Sequence, residues 1–141
     1  MSLLAGIDVI IGPMFSGKST ELLRQLTIMC AVKLKVLYIN SKIDTRANVS
    51  HNILISDCAK KYVEIRAINL SECYDIAQTF DVIGIDEAQF FPDLYEFCFS
   101  MCEKYKKKII VAGLDADSNR KRFGNLLDLI PICDDVKKLH S

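Results

Sequence analysis

Short runs of apolar residues alternate with stretches of helical periodicity along this chain. Apolar runs predict core strands at residues 6–11, 35–40, 81–85 and 108–113, a shorter strand at 62–68 and an edge strand at 136–139. Helical spacing predicts helices at 18–31, at 70–79 with Ser71 as N-cap, from Pro92 in the first turn to Tyr105, and at 123–130. Polar sequence at 41–61 and 114–121 predicts irregular segments.

Strands that alternate with helices predict a mainly parallel β-sheet flanked by helices, which is an α/β fold. The runs at 81–85 and 109–112 are almost entirely apolar, as is typical of parallel strands that are buried on both faces. The chain has no internal repeat and no linker-like tract, so we expect residues 1–141 to form a single domain.

The composition narrows the classes of partner. Eighteen Lys and Arg residues balance 18 Asp and Glu residues, so the chain lacks the basic footprint of a protein that binds a nucleic acid polymer. The sequence has no signal-peptide pattern and no apolar run of the roughly 18 residues that a membrane span needs. We therefore expect neither secretion nor membrane contact.

The six cysteines are expected to be reduced and mostly buried. They include no C-x-x-C pair and supply no set of four zinc ligands. Their spacing also differs from that of a secreted disulfide framework. Cysteines of this kind predict a cytoplasmic protein, because thiols stay reduced there.

A phosphate-binding loop follows the first predicted strand. The pattern G-x-x-x-x-G-K-[ST] is matched by Gly12, Pro13, Met14, Phe15, Ser16, Gly17, Lys18, Ser19 and Thr20. The strand before it and the helix after it are the context that this motif requires. Main-chain N–H groups and the helix N-terminus would cradle nucleotide phosphates, Lys18 would reach the β- and γ-phosphates, and Ser19 would bind Mg²⁺.

Two carboxylates end the strand at 81–85. The carboxyl ends of parallel strands share one edge of a sheet, so we expect Asp86 and Glu87 at the same edge as the phosphate loop. Asp86 is predicted to hold Mg²⁺, usually through its water shell. Because side chains alternate along a strand, Glu87 is expected to point to the opposite side and to act as a general base.

These residues leave the phosphoryl acceptor open, because kinases and hydrolysing enzymes share the same parts. The acceptor is either a substrate hydroxyl or water. Candidate side chains for neutralising charge during the transfer are Lys18, Arg46 and Arg120.

Four strings, in this order, resemble the type II thymidine kinases of cellular and poxviral origin. They are Gly12 to Leu22, Asp44-Thr45-Arg46, Ile85 to Leu94 with its Asp-Glu-Ala-Gln-Phe-Phe core, and Arg120 to Asn125. The phosphate loop alone is generic, whereas its Pro-Met-Phe interior and the Asp-Glu-Ala-Gln-Phe-Phe string are more specific. The resemblance covers essentially the whole chain.

The resemblance implies a RecA-like P-loop core that transfers a phosphoryl group from ATP to the 5′-hydroxyl of thymidine. By this resemblance Glu87 would be the base, Lys18 and Arg46 would steady the transferring group, and Asp44 would help hold Mg²⁺. Gln89 would lie with the cofactor-binding residues. The nucleoside pocket would be lined by Met14, Phe90, Leu114, Phe123 and Arg120. A homotetramer is likewise implied only by the resemblance.

The sequence also departs from the family pattern. A zinc-holding segment and a thymine-clamping lasso loop follow this point in the family, and neither follows Lys137–Ser141, so zinc is not expected in this chain. Ser118 replaces an aromatic residue, and Ala47 replaces a tyrosine, while His51 stands near the position of a loop histidine. The missing segment keeps open a weakly active or non-catalytic nucleotide-binding relative that assembles with other subunits. An ATPase that uses water is a separate alternative, because kinases and hydrolysing enzymes share the same parts.

Overall fold

The computed structural model describes residues 5–43, 62–115 and 124–140. These residues form one six-stranded sheet with helices on both faces. The strands are β1 (Gly6–Gly12), β2 (Val36–Ser41), β3 (Val63–Ala67), β4 (Val82–Ile85), β5 (Lys108–Leu114) and β6 (Asp135–Lys138). The α-helices are α1 (Lys18–Ala31), α2 (Tyr74–Ala77), α3 (Leu94–Glu103) and α4 (Gly124–Leu127), and short 3₁₀ turns lie at Leu70–Cys73, Ala88–Phe90 and Ile130–Ile132.

Every pair of neighbouring strands is parallel, and the order across the sheet is β3-β2-β4-β5-β1-β6. The predicted parallel α/β architecture is therefore confirmed. β5 lies between β1 and β4, and its register pairs Gly12 with Leu114 and Ile85 with Val111. The carboxyl ends of β1, β4 and β5 consequently meet at one edge of the sheet.

Helix α1 covers one face of the sheet. Its buried residues Leu22 and Leu26 pack on alternate positions of the central strands, including Ile10 and Ile110. The other positions of the same strands point to the opposite face, where Phe97 and Met101 of α3 cover them. This alternation explains why the core strands read as continuous apolar runs.

Gly84 allows α1 to lie unusually close to β4. A Cβ atom at this position would lie 2.5 Å from Cδ1 and 3.0 Å from Cδ2 of Leu26, a side chain with no solvent exposure. Real side chains do not approach so closely, and a densely packed core gives the leucine little room to retreat. The glycine therefore sets the distance between α1 and β4, the strand that Asp86 follows.

The predicted helix at 70–79 is shorter and less regular than expected. The segment begins as a 3₁₀ turn and becomes α-helical only at Tyr74–Ala77. Asn69, not Ser71, is the N-cap, and its N–H donates to Glu72 at 2.8 Å. The carboxylate of Asp93 also accepts hydrogen bonds from the N–H groups of Leu70 and Ser71, and this tertiary contact fixes where the turn starts.

Two other helix boundaries differ from the sequence prediction. Pro92 was expected in the first turn of its helix, but α3 begins at Leu94 with Asp93 as its N-cap. The helix predicted at 123–130 is confirmed only as α4 and a following 3₁₀ turn, in which Pro131 occupies an early position. The strand predicted at 136–139 is confirmed one residue earlier, and it pairs with β1 at the edge of the sheet.

Replacement of Gly84 by alanine tests the close approach of α1. We expect Gly84→Ala to lower the free energy of unfolding by about 1–3 kcal/mol, because the new methyl group overpacks the α1–β4 contact. Urea unfolding followed by circular dichroism measures the change. Gly124→Ala is the matched control, since its added Cβ meets no atom within 4 Å in the described part of the chain, apart from its chain neighbours and its own helix backbone. It should change stability by no more than about 0.5 kcal/mol, and equal losses in the two variants would contradict the packing argument.

Candidate active site

The phosphate loop connects β1 to α1, and two glycines give it its shape. Gly17 is the N-cap of α1 and has φ 87°, a left-handed conformation that glycine adopts without strain. Gly12 ends β1, where an added Cβ would lie 2.8 Å from both Ser16 Oγ and the main-chain oxygen of Leu139. The first motif glycine thus has no space for a side chain, and the second has the wrong backbone conformation for one.

Lys18 folds back over this loop. Its Nζ donates to the main-chain oxygen of Pro13 at 2.6 Å and lies 3.4 Å from Ser16 Oγ. The side chain is buried even though it carries a charge. The cation therefore lies at the helix N-terminus, beside N–H groups that have no partner within the helix. Cation, helix dipole and main-chain N–H groups together create a site for an anion.

The first turn of α1 is tied to the edge strand by Glu21. Its carboxylate accepts hydrogen bonds from Arg24, Gln25 and Lys137, the last at 3.1 Å. The hydrogen bond from Arg24, followed by those from Gln25 and Lys137, lowers the pKa of Glu21 to about 2. The carboxylate is thus charged throughout the physiological range, and it holds α1 against β6.

Within the described ranges, Asp86 accepts hydrogen bonds from the side chains of Ser19 and Tyr38 and from the main chain of Glu87. Ser19 Oγ donates to Oδ1 at 3.0 Å, and the N–H of Glu87 donates to the same oxygen at 2.9 Å. The hydroxyl of Tyr38 donates to Oδ2 at 2.6 Å. The carboxylate is only 1% exposed. Two of the three residues predicted as Mg²⁺ ligands, Ser19 and Asp86, are therefore in direct contact, and the third, Asp44, lies outside the described residues.

The Tyr38 side chain is fully buried. Its burial, and then the negative charge of Asp86, raise the pKa of the phenol far above its usual value. The hydroxyl consequently keeps its proton and acts as the donor to the carboxylate. Sequence reasoning did not assign Tyr38 to the site. The sequence feature that could have indicated this role is a single tyrosine hydroxyl among the apolar residues at the start of β2.

Glu87 lies just beyond the end of β4 and has a left-handed backbone with φ 49°. This conformation is uncommon for a residue with a side chain, and such strain is often found at functional sites. The expected reason for its direction, strand alternation, is wrong because the strand already ends at Ile85. Glu87 Oε1 accepts a hydrogen bond from Gln89 Nε2 at 2.9 Å, and the side chain is 9% exposed.

Gln89 joins the turn that carries Glu87 to the end of β5. Its Oε1 accepts a hydrogen bond from the N–H of Leu114 at 3.1 Å, and a Cβ added at Gly113 would lie 2.7 Å from this oxygen. Asn125 of α4 donates to the main-chain oxygens of Gln89 and Phe91. Both ends of the Gln89 amide thus contact protein groups, and its predicted contact with the cofactor stays a prediction. Asn125 had no assigned role in the sequence prediction.

The residues predicted to line a nucleoside pocket differ in exposure. Met14 is 42% exposed and Phe15 is 90% exposed at the tip of the phosphate loop, whereas Phe90 is half-buried and Leu114 is buried. Pro13 and Thr20 are exposed, and Ser16 is half-buried.

The remaining predicted site residues, and the residues that depart from the family pattern, lie outside the described residues: Asp44, Arg46, Ala47, His51, Ser118, Arg120 and Phe123.

The donor atoms at the carboxyl edge suit Mg²⁺ better than a softer metal. Ser19 and Asp86 offer a hydroxyl and a carboxylate, and Mg²⁺ typically takes one or two protein oxygens together with phosphates and water. In residues 5–43, 62–115 and 124–140, no three His, Cys, Asp or Glu side chains cluster as a metal-binding group.

Five of the six cysteines fall within the described part of the chain, and all five are free thiols. Cys30, Cys73, Cys98 and Cys102 are buried, and Cys133 is half-buried. Burial raises the pKa of the Cys73 thiol to about 11.

No helix in the described ranges is both long and apolar enough to cross a bilayer.

Comparison with known proteins decides the family. Residues 5–141 match the sequence profile of the thymidine kinase family. The chain belongs to this family. It is 43% identical to the thymidine kinase of Amsacta moorei entomopoxvirus over 140 residues, which cover 96% of this chain and 76% of that protein. It is 44% identical to the cytosolic thymidine kinase of Bos taurus over 134 residues, which cover 94% of this chain. It spans 54% of the length of the bovine protein.

The fold is shared with a protein of very different sequence. The flagellar accessory protein FlaH from Methanocaldococcus jannaschii superimposes with a TM-score of 0.67 at 15% identity, covering 95% of this chain and 70% of FlaH. At this identity the likeness concerns the fold alone. The predicted α/β class, a parallel β-sheet flanked by helices, is confirmed.

Removal of the loop cation tests the phosphate site. We expect Lys18→Ala to weaken ADP binding about 10- to 100-fold, since it removes charge-assisted hydrogen bonds worth about 1.5–3 kcal/mol. Calorimetric titration with ADP measures the affinity. Lys104→Ala, at the exposed end of α3, removes a cation far from the loop and should bind ADP normally. Unchanged affinity in folded Lys18→Ala would show that phosphates bind elsewhere.

Proposed function

We propose that this protein is an ATP-dependent thymidine kinase that transfers the γ-phosphoryl group of ATP to the 5′-hydroxyl of thymidine. The observation that carries the proposal is the contact between Ser19 and Asp86, 3.0 Å apart, with Glu87 next in the chain. This contact joins a phosphate loop to a carboxylate that can hold a metal and to a second that can accept a proton. Membership of the thymidine kinase family supports thymidine as the acceptor.

The nucleotide phosphates would lie in the loop between Gly12 and Thr20. Main-chain N–H groups and the N-terminus of α1 would bind phosphate oxygens. Lys18 would turn from Pro13 and Ser16 to the β- and γ-phosphates. Mg²⁺ would be held by Ser19 and Asp86, and it would neutralise charge on the phosphate oxygens.

Glu87 is the proposed general base. Its carboxylate is buried at the edge of the sheet and is oriented by the hydrogen bond from Gln89. A base in this position would accept the proton of the 5′-hydroxyl as that oxygen attacks the phosphorus. Asp86 has a different task, because its hydrogen bond from Ser19 Oγ places it beside the other proposed metal ligand.

The substrate side of the site is proposed from the family resemblance and from exposure. Met14 and Phe90 have accessible apolar surface close in sequence to the loop and to the base, and Leu114 ends β5 opposite Gly12. Together with Phe123 and Arg120 they would enclose the nucleoside. Arg46 would steady the transferring group, and Asp44 would assist the metal.

The cellular setting follows from the same proposal. A kinase of this kind would act in nucleotide salvage in the cytoplasm, on a small nucleoside and not on a nucleic acid polymer. We also propose a homotetramer, from the family resemblance. Sedimentation velocity of the purified protein measures its assembly directly.

A nucleoside panel tests the proposed reaction. The protein is incubated with ATP, Mg²⁺ and one nucleoside at a time, and the products are identified by mass. We expect thymidine monophosphate, formed together with ADP in equal amounts. ADP and phosphate release that is independent of every nucleoside would indicate a hydrolase and would overturn the proposal. Binding of ATP without turnover would overturn it in favour of a nucleotide-binding relative.

Loss of the base should affect the chemical step alone. We expect Glu87→Gln to lower kcat about 10²- to 10⁴-fold, which is the usual contribution of a general base. ADP affinity should stay within about twofold, because the substitution keeps the hydrogen-bonding shape. Glu96→Gln, on the exposed side of α3, is the control and should retain full activity. Undiminished turnover in Glu87→Gln would exclude this residue as the base.

A further inference from the structure

We propose that Tyr38 is a positioning residue for the Mg²⁺-bound nucleotide, through its hydrogen bond to Asp86. It belongs to β2, which does not contribute to the phosphate loop, and its ring does not reach the protein surface. The inference rests on the proposed function only in that Mg²⁺ and a nucleotide bind at the carboxyl edge of the sheet.

The strand register explains how a residue inside the sheet reaches this edge. Tyr38 pairs with Gly84 of β4, two residues before Asp86. The tyrosine ring lies in the core beneath α1, on the same face of the sheet as Leu26. Its hydroxyl then lies 2.6 Å from Asp86 Oδ2. Diagonal neighbours on one face of a sheet are within reach of a long aromatic side chain.

The two carboxylate oxygens of Asp86 accept hydrogen bonds from different donors. Oδ1 accepts from Ser19 Oγ and from the N–H of Glu87, whereas Oδ2 accepts from Tyr38. A bond to each oxygen fixes the rotation of the carboxylate about its Cβ–Cγ bond. Ser19 has a single hydroxyl proton, and donating it to Oδ1 leaves its lone pairs available to a metal. Tyr38 therefore helps to aim both oxygen ligands.

Phenylalanine at position 38 would remove this bond with little change in packing. The ring contacts Tyr62 edge-on with centroids 5.8 Å apart, and it belongs to the core beneath α1. These contacts involve the ring and not the hydroxyl. A buried tyrosine could also be purely structural, with its hydroxyl satisfied by the nearest acceptor. A positioning role predicts that loss of the hydroxyl weakens Mg²⁺ binding but not nucleotide binding. A purely structural role predicts no such separation.

The experiment measures ADP binding by calorimetry, first without Mg²⁺ and then over a series of Mg²⁺ concentrations. In Tyr38→Phe we expect a rise of about 10-fold in the Mg²⁺ concentration that gives half of the maximal change in ADP affinity. Residues that orient metal ligands typically contribute 10- to 100-fold to metal affinity. Affinity for ADP without Mg²⁺ should stay within twofold. Tyr74→Phe is the matched control, because it loses a hydroxyl that is bonded to Ser100 and packs against the core cluster on the other face of the sheet from Tyr38.

Folded Tyr38→Phe with the Mg²⁺ dependence of the native protein would overturn the proposal. An equal loss of ADP affinity with and without Mg²⁺ would also overturn it, because that result indicates a structural role. Neither measurement uses thymidine. If the Mg²⁺ shift occurs but thymidine is not phosphorylated, the proposed function fails and this inference stands.

A second measurement needs no variant at position 38. The native protein labelled with ¹³C at the tyrosine Cζ atoms gives five resonances, one for each tyrosine, and single Phe substitutions at the other four assign them. We expect the Tyr38 resonance to move when Mg²⁺ is added to the ADP complex, because its hydrogen-bond acceptor then binds the metal. A Tyr38 resonance that does not respond to Mg²⁺ would count against the proposal.

Discussion

The hydrogen bond between Ser19 and Asp86 connects the phosphate loop to the carboxylates that follow β4. Ser19 lies in the first turn of α1, which follows β1, and Asp86 follows β4, yet β5 separates these two strands in the sheet. Helix α1 packs across this face of the sheet and contacts β1, β5 and β4. Its close contact with β4 depends on the missing side chain of Gly84, into whose space Leu26 fits. A packing constraint within the core thus determines the geometry of polar groups at the edge.

The two adjacent carboxylates have separate environments, which suits them to separate tasks. Asp86 is held by donors from β2, from α1 and from the main chain, so its position is set before any ligand arrives. Glu87 occupies a left-handed backbone conformation and is oriented by Gln89, which in turn is fixed by Leu114. Strain of this kind persists because the surrounding hydrogen bonds over-determine it. The pattern supports a metal-holding role for one residue and a proton-accepting role for the other.

Local signals in the sequence predicted the strands, the phosphate loop and α1, because each depends on short-range periodicity or on glycines within one motif. Features that depend on distant neighbours could not be predicted. Asp93 sets the start of the turn at Leu70, 23 residues earlier in the chain, and Tyr38 reaches Asp86 only through the register of two strands. The direction of the Glu87 side chain could not be predicted from strand alternation either. No local signal in the sequence shows that β4 ends before this residue.

The coupling between Ser19 and Asp86 is the most direct measure of whether they form one metal-binding unit. A double-mutant cycle with Ser19→Ala, Asp86→Asn and the combined variant gives this coupling from the affinity of each protein for ADP at saturating Mg²⁺. If the two side chains act together, the combined variant should bind no more than about twofold more weakly than the weaker single variant, because one substitution already disrupts the unit. Losses that multiply in the combined variant would show that the two residues act independently and would contradict the proposed site.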